Sequence, residues 1–415
     1  MNKIATPTLQ RLLASHGLQA AGKTFVDIFM GIYIWKLTED LTLVALFFLP
    51  FVIVHTISFT LFANPVKRGH IHVPRRIGLL GVMSIVVIVA FLGERSIDYL
   101  MPIAIGYGLF NGMYWISYHV LRFDLTRPAN RGNYIGMEKA IKRIVGVVMP
   151  ALGGSLIALN LFDLNYGAVF IFTGFLYLLS FFIGNVKIKH KKMGAPLHLR
   201  ETIKVLRKNK DIVKATTAYI FTGISRGGAM QKLIPILIFD ILNSEFQLGG
   251  WLSLVSVVSI IMSVLVGKFL HYRHYRKAIS IAGVIFFISI LSLVGVPGLV
   301  TYLVFAIVKG LVILYITIPK QVVSDNLIHS VEDHNAHRVE YIVIREWFGV
   351  GLGRTFSYIM LLFAVGVGGT ELKIILTIMA FAALAEVWLL GSINKNWYTK
   401  KDWHGISWSK SENLQ

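Results

Sequence analysis

Seven ionisable residues stand inside stretches that are otherwise apolar: Lys23, Asp27, Arg226, Lys232, Lys309, Arg354 and Glu386. A charge with lipid on all sides is expensive, so each marks an ion or substrate pathway by default. Lys23 and Asp27 are four residues apart and share one helical face. Such a pair can simply neutralise itself. It can also load and release a proton as desolvation and the neighbouring cation change in balance. The seven comprise five cations and two anions. An anionic substrate gripped by Lys23, Arg226 and Lys309 would satisfy the excess, since the fork of an arginine takes an oxyanion in two places. We expect proton coupling at Asp27 and Glu386, and substrate binding at Lys23, Arg226, Lys309, Arg354, Asn111 and Tyr114. For Glu386 a structural ion pair with a neighbouring helix is the competing reading.

Other chemistries lack their parts. There is no cysteine, hence no disulfide framework, thiolate metal site or Cys nucleophile. No phosphate-binding glycine loop follows a strand, and no nucleophile–base or paired-carboxylate arrangement stands out. The stretch Glu332–His337 lacks the spacing of a compact zinc centre. We therefore expect no enzyme, no cofactor and no resident metal.

The elements that must position these charges are membrane spans. The chain has 415 residues, 55 % of them apolar and only 15 % charged, against about a quarter charged in a soluble domain. Spanning helices need about 20 mostly apolar residues. Twelve candidates run over 14–36, 41–62, 77–93, 98–121, 134–159, 165–186, 212–240, 247–268, 278–295, 298–319, 337–365 and 371–394. The first is no cleavable signal peptide, since it carries Lys23 and Asp27. The net charge of +20 follows location: 33 of the 41 Lys and Arg fall in segments on the side of the N-terminus, and the opposite loops hold only Lys36, Arg95 and Lys373. The positive-inside rule then places both termini in the cytoplasm, in a multi-pass protein of the cytoplasmic (inner) membrane. Nucleic acid is not needed to explain the basicity. Membrane lipids and a small-molecule substrate are the expected partners, and a monomer the expected state. The tryptophans Trp397, Trp403 and Trp408, interleaved with lysines, suit the lipid interface.

The long basic stretch after the sixth candidate divides the chain into an N-terminal six-helix bundle (1–186), a cytoplasmic linker (187–211), a C-terminal six-helix bundle (212–395) and a tail (396–415). The halves look alike. Trp35–Leu43 and Asp240–Leu248 occupy the same place after spans one and seven. Glu138–Arg143 precedes Gly146 as Ile342–Glu346 precedes Gly349. Such duplication is common in transporters. Arg122, Asp124, Arg127 and Arg131 read as one side of a cytoplasmic gate, with Lys320, Asp325, Glu332, Asp333 and Glu340 as the other; a solvated loop is the plain alternative.

With twelve spans in two halves and a basic middle loop, the chain resembles the major facilitator superfamily of secondary transporters. That family's signature lies between spans two and three and again between eight and nine. The second copy is Gly267 to Lys277 (GKFLHYRHYRK), with His271 in place of the motif's Asp. The first copy places Lys67 at the Asp position, with Pro74-Arg75-Arg76 following. Pro150-Ala151-Leu152-Gly153-Gly154 resembles the Pro-x-x-Gly-Gly motif of drug:proton antiporters, though small residues also serve plain helix packing. The resemblance implies an all-α integral membrane protein with two pseudo-symmetric six-helix bundles and a cavity lined by spans one, four, seven and ten. It implies secondary active transport of a small, possibly anionic molecule by alternating access, with proton-coupled antiport or efflux favoured. A flippase for a lipid or lipid-linked substrate, and a non-transporting sensor or assembly protein of the same fold, remain alternatives.

Overall fold

In a computed structural model the described residues are 7–125, 128–160, 164–185, 196–270, 272–329, 338–364, 366 and 368–399, and all regular structure among them is helical. Eight stretches are long and apolar enough to cross a membrane uninterrupted. One of these, His72–Arg122, runs through two spans joined by a short 3-10 helix, Gly93–Tyr99. Three further spans are broken, which gives twelve.

The breaks have a common form. Span one (7–38) is a helix Pro7–Phe25, a π-helical turn Val26–Met30 and a helix Gly31–Thr38. Span seven (210–242) has its π segment at Gly223–Gly227, and span eleven (338–361) at Trp347–Arg354. These segments hold Asp27, Arg226 and Arg354 respectively. A π-turn inserts one residue into the helical ladder and is frequently found at functional sites. The other spans are Leu41–Lys67, His72–Leu92, Leu100–Leu125, Pro128–Ala158, Tyr166–Ile183, Glu245–Phe269, Tyr275–Gly295, Leu299–His329 and Thr370–Gly391. Several extend beyond the apolar stretches expected from sequence: span ten, for instance, continues from 319 to His329. A helix satisfies its own backbone, so it does not stop where the hydrocarbon does.

The repeat is visible in local geometry. Spans one and seven both end on a left-handed residue, Glu39 (φ 49°) and Asn243 (φ 44°), whose N–H returns to Trp35 O and Phe239 O. Asp40 then caps span two by accepting from the Thr42 N–H at 2.7 Å, and Ser244 accepts from the Gln247 N–H at 3.3 Å. The two copies of the family motif correspond as well. Arg75 donates to Gly184 O at the end of span six, and Arg276 donates to Gly391 O at the end of span twelve. The orphan carbonyls of two helix C-termini are thus met by arginine, as their partial charge favours. His271 lies outside the described residues, as does the basic run 186–195. The rest of the linker contains one amphipathic helix, Leu199–Arg207.

Glycine sets the helix spacing around the core. A Cβ on Gly108 would sit 2.6 Å from Phe51 O, and one on Gly112 would sit 2.6 Å from His55 O. This small-xxx-small pair draws span four onto the backbone of span two. It brings Asn111 and Trp115 beside Phe51 and His55. Gly153 meets the rings of Phe25 and Phe29, and Gly154 meets Glu245 O. Close packing of span five against spans one and eight therefore accounts for the Gly153-Gly154 pair. Replacing Gly108 with Val should overpack the contact with span two, at a cost of about 1–3 kcal/mol. Thermal unfolding of the purified protein in detergent should show a midpoint several degrees lower. Gly250→Ala, where a Cβ meets nothing within 4 Å, should leave the midpoint unchanged.

Candidate functional site

The two halves enclose a cavity of about 300 Å³. Its N-terminal wall is Lys23 and Asp27 from span one, Phe51 and His55 from span two, and Asn111 and Trp115 from span four. Span seven adds Gln231 and Lys232, and span eleven adds Glu346, Arg354 and Tyr358. The resemblance gave spans one, four, seven and ten; here span eleven stands on the wall and span ten does not. The reason is the π segment of span eleven, which carries Arg354 inward. Gly223 and Gly353 let the π segments of spans seven and eleven touch, since a Cβ on Gly223 would lie 2.6 Å from Gly353 Cα.

Asp27 is the centre of the site. Its Oδ2 accepts from Lys23 Nζ at 2.6 Å and its Oδ1 from Lys232 Nζ at 3.0 Å. Lys232 also donates to the Asp27 backbone carbonyl at 2.6 Å, within the π turn, and lies 4.4 Å from the centre of the Phe48 ring. The pair foreseen within one helix is thus a triad crossing between halves. Lys232 of span seven is 5 % exposed and joins it. Hydropathy gives only a residue's depth along its span, so the sequence did not mark this partner.

Arg354 lines the same cavity, and its side chain makes no hydrogen bond or ion pair among the described residues. Asn111 is on the wall too. The other expected substrate ligands lie elsewhere. Arg226 grips Glu386 with both arms, Nη2 to Oε1 at 2.7 Å and Nη1 to Oε2. Lys320 reaches the same Oε1 at 3.1 Å, and Thr222 Oγ1 donates to it at 2.8 Å. Glu386, Arg226 and Lys320 therefore form a buried network inside the C-terminal half, away from the cavity wall. This is the structural ion pair weighed for Glu386, and it removes Lys320 from any solvent-facing gate. Lys309 is half-buried in span ten, off the cavity wall and without a partner among the described residues. Tyr114 is buried beneath the cavity, its hydroxyl 2.9 Å from His16 Nδ1.

Of the expected gate residues, Asp124, Arg131 and Asp325 lie outside the described side chains, as do Arg127, Glu332 and Asp333. Arg122 pairs with Glu138 of its own half at 3.1 Å. At the end nearest the linker the halves meet along the seam of spans two and eleven, through Glu340 of the expected set and residues the sequence did not mark. His55 Nε2 lies 3.1 Å from Glu346 Oε1, and Trp347 Nε1 donates to Thr60 Oγ1 at 2.7 Å. Below them Lys67 Nζ donates to Glu340 Oε1 at 2.5 Å and to Pro196 O at 3.0 Å. Both side chains are almost fully buried, 1 % and 0 % exposed. Lys67 occupies the family motif's Asp position, so a cation stands here where the motif has an anion. At the opposite end Lys36 pairs with Glu245 at 2.6 Å, and Tyr166 donates to the same carboxylate at 3.0 Å. Phe48 and Tyr358 stack across the halves at 5.6 Å. Contacts between halves thus cross both ends of the cavity. Among the described residues no group of three His, Cys, Asp or Glu is placed to hold a metal.

The family model described as "Major Facilitator Superfamily" matches residues 12–338. A Bacillus subtilis protein described as "Uncharacterized protein YqgE" is 24 % identical over 354 residues, 85 % of this chain and 82 % of that one. A Geobacillus stearothermophilus protein, "Uncharacterized protein in sodM 3'region", is 28 % identical over 147 residues, 35 % of this chain and 69 % of that one. Among solved structures, a bacterial homologue of the human lysosomal transporter Spinster, inward-facing and unoccupied, superposes with a TM-score of 0.64 at 15 % identity, covering 96 % of this chain and 97 % of that one. A bacterial homologue of the iron transporter ferroportin, inward-facing, gives 0.62 at 15 % identity, covering 95 % and 99 %.

The buried latch has a direct test. Glu340→Gln leaves the Lys67 ammonium without its counter-ion and should weaken closure at that end. The chain has no cysteine, so Val350→Cys on the cavity wall would be its single thiol. Its reaction with a membrane-impermeant maleimide should be several-fold faster in the Glu340→Gln background. The exchanged pair Lys67→Glu with Glu340→Lys should restore slow labelling. Equal rates in all three proteins would show that the pair is not a latch.

Proposed function

Because the chain belongs to the Major Facilitator Superfamily and is an integral membrane transporter, we propose that it moves a small organic anion by alternating access, coupled to protons. The observation that carries this reading is Arg354. It presents to a cavity between the two halves a guanidinium with no side-chain hydrogen bond or salt bridge among the described residues, and a guanidinium fork is suited to a carboxylate or phosphate. The walls support an anion in a second way. Three cations (Lys23, Lys232 and Arg354) face two carboxylates (Asp27 and Glu346), a net +1 with neutral histidines. The same imbalance disfavours a metal cation, although one structural neighbour is an iron transporter homologue. Phe51, Trp115 and Tyr358 offer an apolar side, so an anion with an apolar or aromatic body fits best. The volume is at the small end of ligand pockets.

Coupling centres on Asp27. In the empty cavity its carboxylate occupies Lys23 and Lys232. A proton on Asp27 frees both ammonium groups for the substrate's oxyanion, so proton and anion travel together. This favours co-transport over the antiport that the glycine motif suggested, and the packing role of Gly153 and Gly154 removes the need for it. The Asp27–Lys232 contact joins spans one and seven, so its release also loosens the halves. The bundles 1–186 and 212–395 then rock about the cavity, with both termini in the cytoplasm and the Lys67–Glu340 latch on that side.

Uptake into proteoliposomes across a panel of organic anions, with and without a pH gradient, tests both parts. The wild type should accumulate at least one anion when the gradient drives protons with it. Arg354→Ala should lose at least tenfold in affinity for that anion, while uncharged analogues bind no better or worse. Normal affinity in Arg354→Ala would remove the anion reading. Asp27→Asn should retain counterflow exchange but lose acceleration by the gradient. An Asp27→Asn protein that still follows the gradient would place the coupling elsewhere.

A further inference from the structure

A second cavity lies on the lipid-facing surface of the C-terminal half, and it shares no lining residue with the central one. It holds about 380 Å³ between spans nine and ten. Its floor on span nine is Ala278, Ile281, Ala282 and Ile285, the i, i+3, i+4, i+7 set of one helical face. Val312 and Tyr315 of span ten form the other side. The alanines make the slot, since spans nine and ten pack together on either side of it. Ile281 and Ile285 remain exposed along it.

One end of the slot lies among basic residues whose apolar parts line it. His274 and Lys277 line it there, in the basic sequence Arg273-His274-Tyr275-Arg276-Lys277. Arg276 is engaged with Gly391 O. Lys277 is exposed and has no hydrogen-bond or ion-pair partner among the described residues. From Lys277 to Ile285 the helix rises about 12 Å, most of one leaflet's share of a ~30 Å hydrocarbon core. The feature is therefore an apolar slot about one leaflet deep, topped by an unsatisfied ammonium at the level of the head groups.

We propose that this groove binds one anionic phospholipid, its phosphate on Lys277 and one acyl chain along Ala278–Ile285 against Val312 and Tyr315. Charge complementarity selects the occupant. A zwitterionic lipid brings its own cation to the phosphate, whereas an anionic head group leaves the phosphate free for a lysine, which binds it as a point charge. The cytoplasmic leaflet is the anionic one, and the basic segments place this end of span nine on that side. The bound chain bridges spans nine and ten and fills a gap that protein side chains leave open. The proposal does not depend on what the central cavity carries.

Native mass spectrometry of the full chain in mild detergent tests it, using dioleoyl phosphatidylglycerol and dioleoyl phosphatidylethanolamine as probes. The wild type should retain one phosphatidylglycerol at collision energies that strip phosphatidylethanolamine. Lys277→Gln, an exposed substitution, should reduce that retention several-fold. Ala282→Trp should abolish it by filling the slot. Val300→Trp, on exposed surface away from the groove, should retain the lipid as the wild type does. Monodisperse elution and unchanged helicity establish folding; were Ala282→Trp misfolded, Ala278→Phe makes the same test. Equal retention of the two lipids would overturn the proposal, leaving only annular lipid. So would wild-type retention in either groove variant, or displacement of phosphatidylglycerol by millimolar inorganic phosphate, which would indicate a plain anion site.

Discussion

The middle of this protein is arranged around a carboxylate held by two ammonium groups on the wall of the cavity between the halves. Asp27 lies between Lys23 of its own helix and Lys232 of the other half. Removing one partner from a buried ion pair leaves an uncompensated charge, which is far costlier than the pair is worth. The two halves are therefore tied at the depth where a carried molecule must pass. A group that replaces either partner there has to supply its own charge. This gives a physical route from ligand chemistry to movement, since a ligand shifts a conformational balance only through contacts that differ between its states.

The second charged group, Arg226–Glu386–Lys320, obeys the same rule with a different result. All three residues belong to the C-terminal half. Among the described residues nothing in the network crosses to the other half. It fixes the packing of spans seven, ten and twelve, while the Asp27 triad and the Lys67–Glu340 pair join one half to the other. Position relative to the seam, rather than burial or charge, separates a scaffold from a moving part.

The π segments connect these roles. In spans one, seven and eleven the helical ladder is disturbed where a charged residue must face inward. In span one the disturbance also presents the Asp27 carbonyl to Lys232. Elsewhere the helices are regular and glycine governs their approach, as at Gly108 and Gly112. The cavity is thus made by local departures from an otherwise uniform bundle.

The sequence alone determined the class, the twelve spans and the repeat. Those follow from hydrophobic run lengths and from turn residues such as Glu39-Asp40 and Asn243-Ser244, which act over a few neighbours. It also found the costly charges, because an ionisable residue in an apolar run is conspicuous. It could not assign partners. Lys23 and Asp27 are four apart and readable as a pair, but Arg226 and Glu386 are 160 residues apart, and Lys67 and Glu340 are 273 apart. Which cations are satisfied within a half, which cross the seam and which face the cavity unpaired depends on how helices rotate and pack. Helix rotation is set by glycine contacts and π-turns that leave little trace in hydropathy. Arg354 and Arg226 look equivalent in the chain, and only the tertiary structure makes one a structural residue and leaves the other open to a ligand.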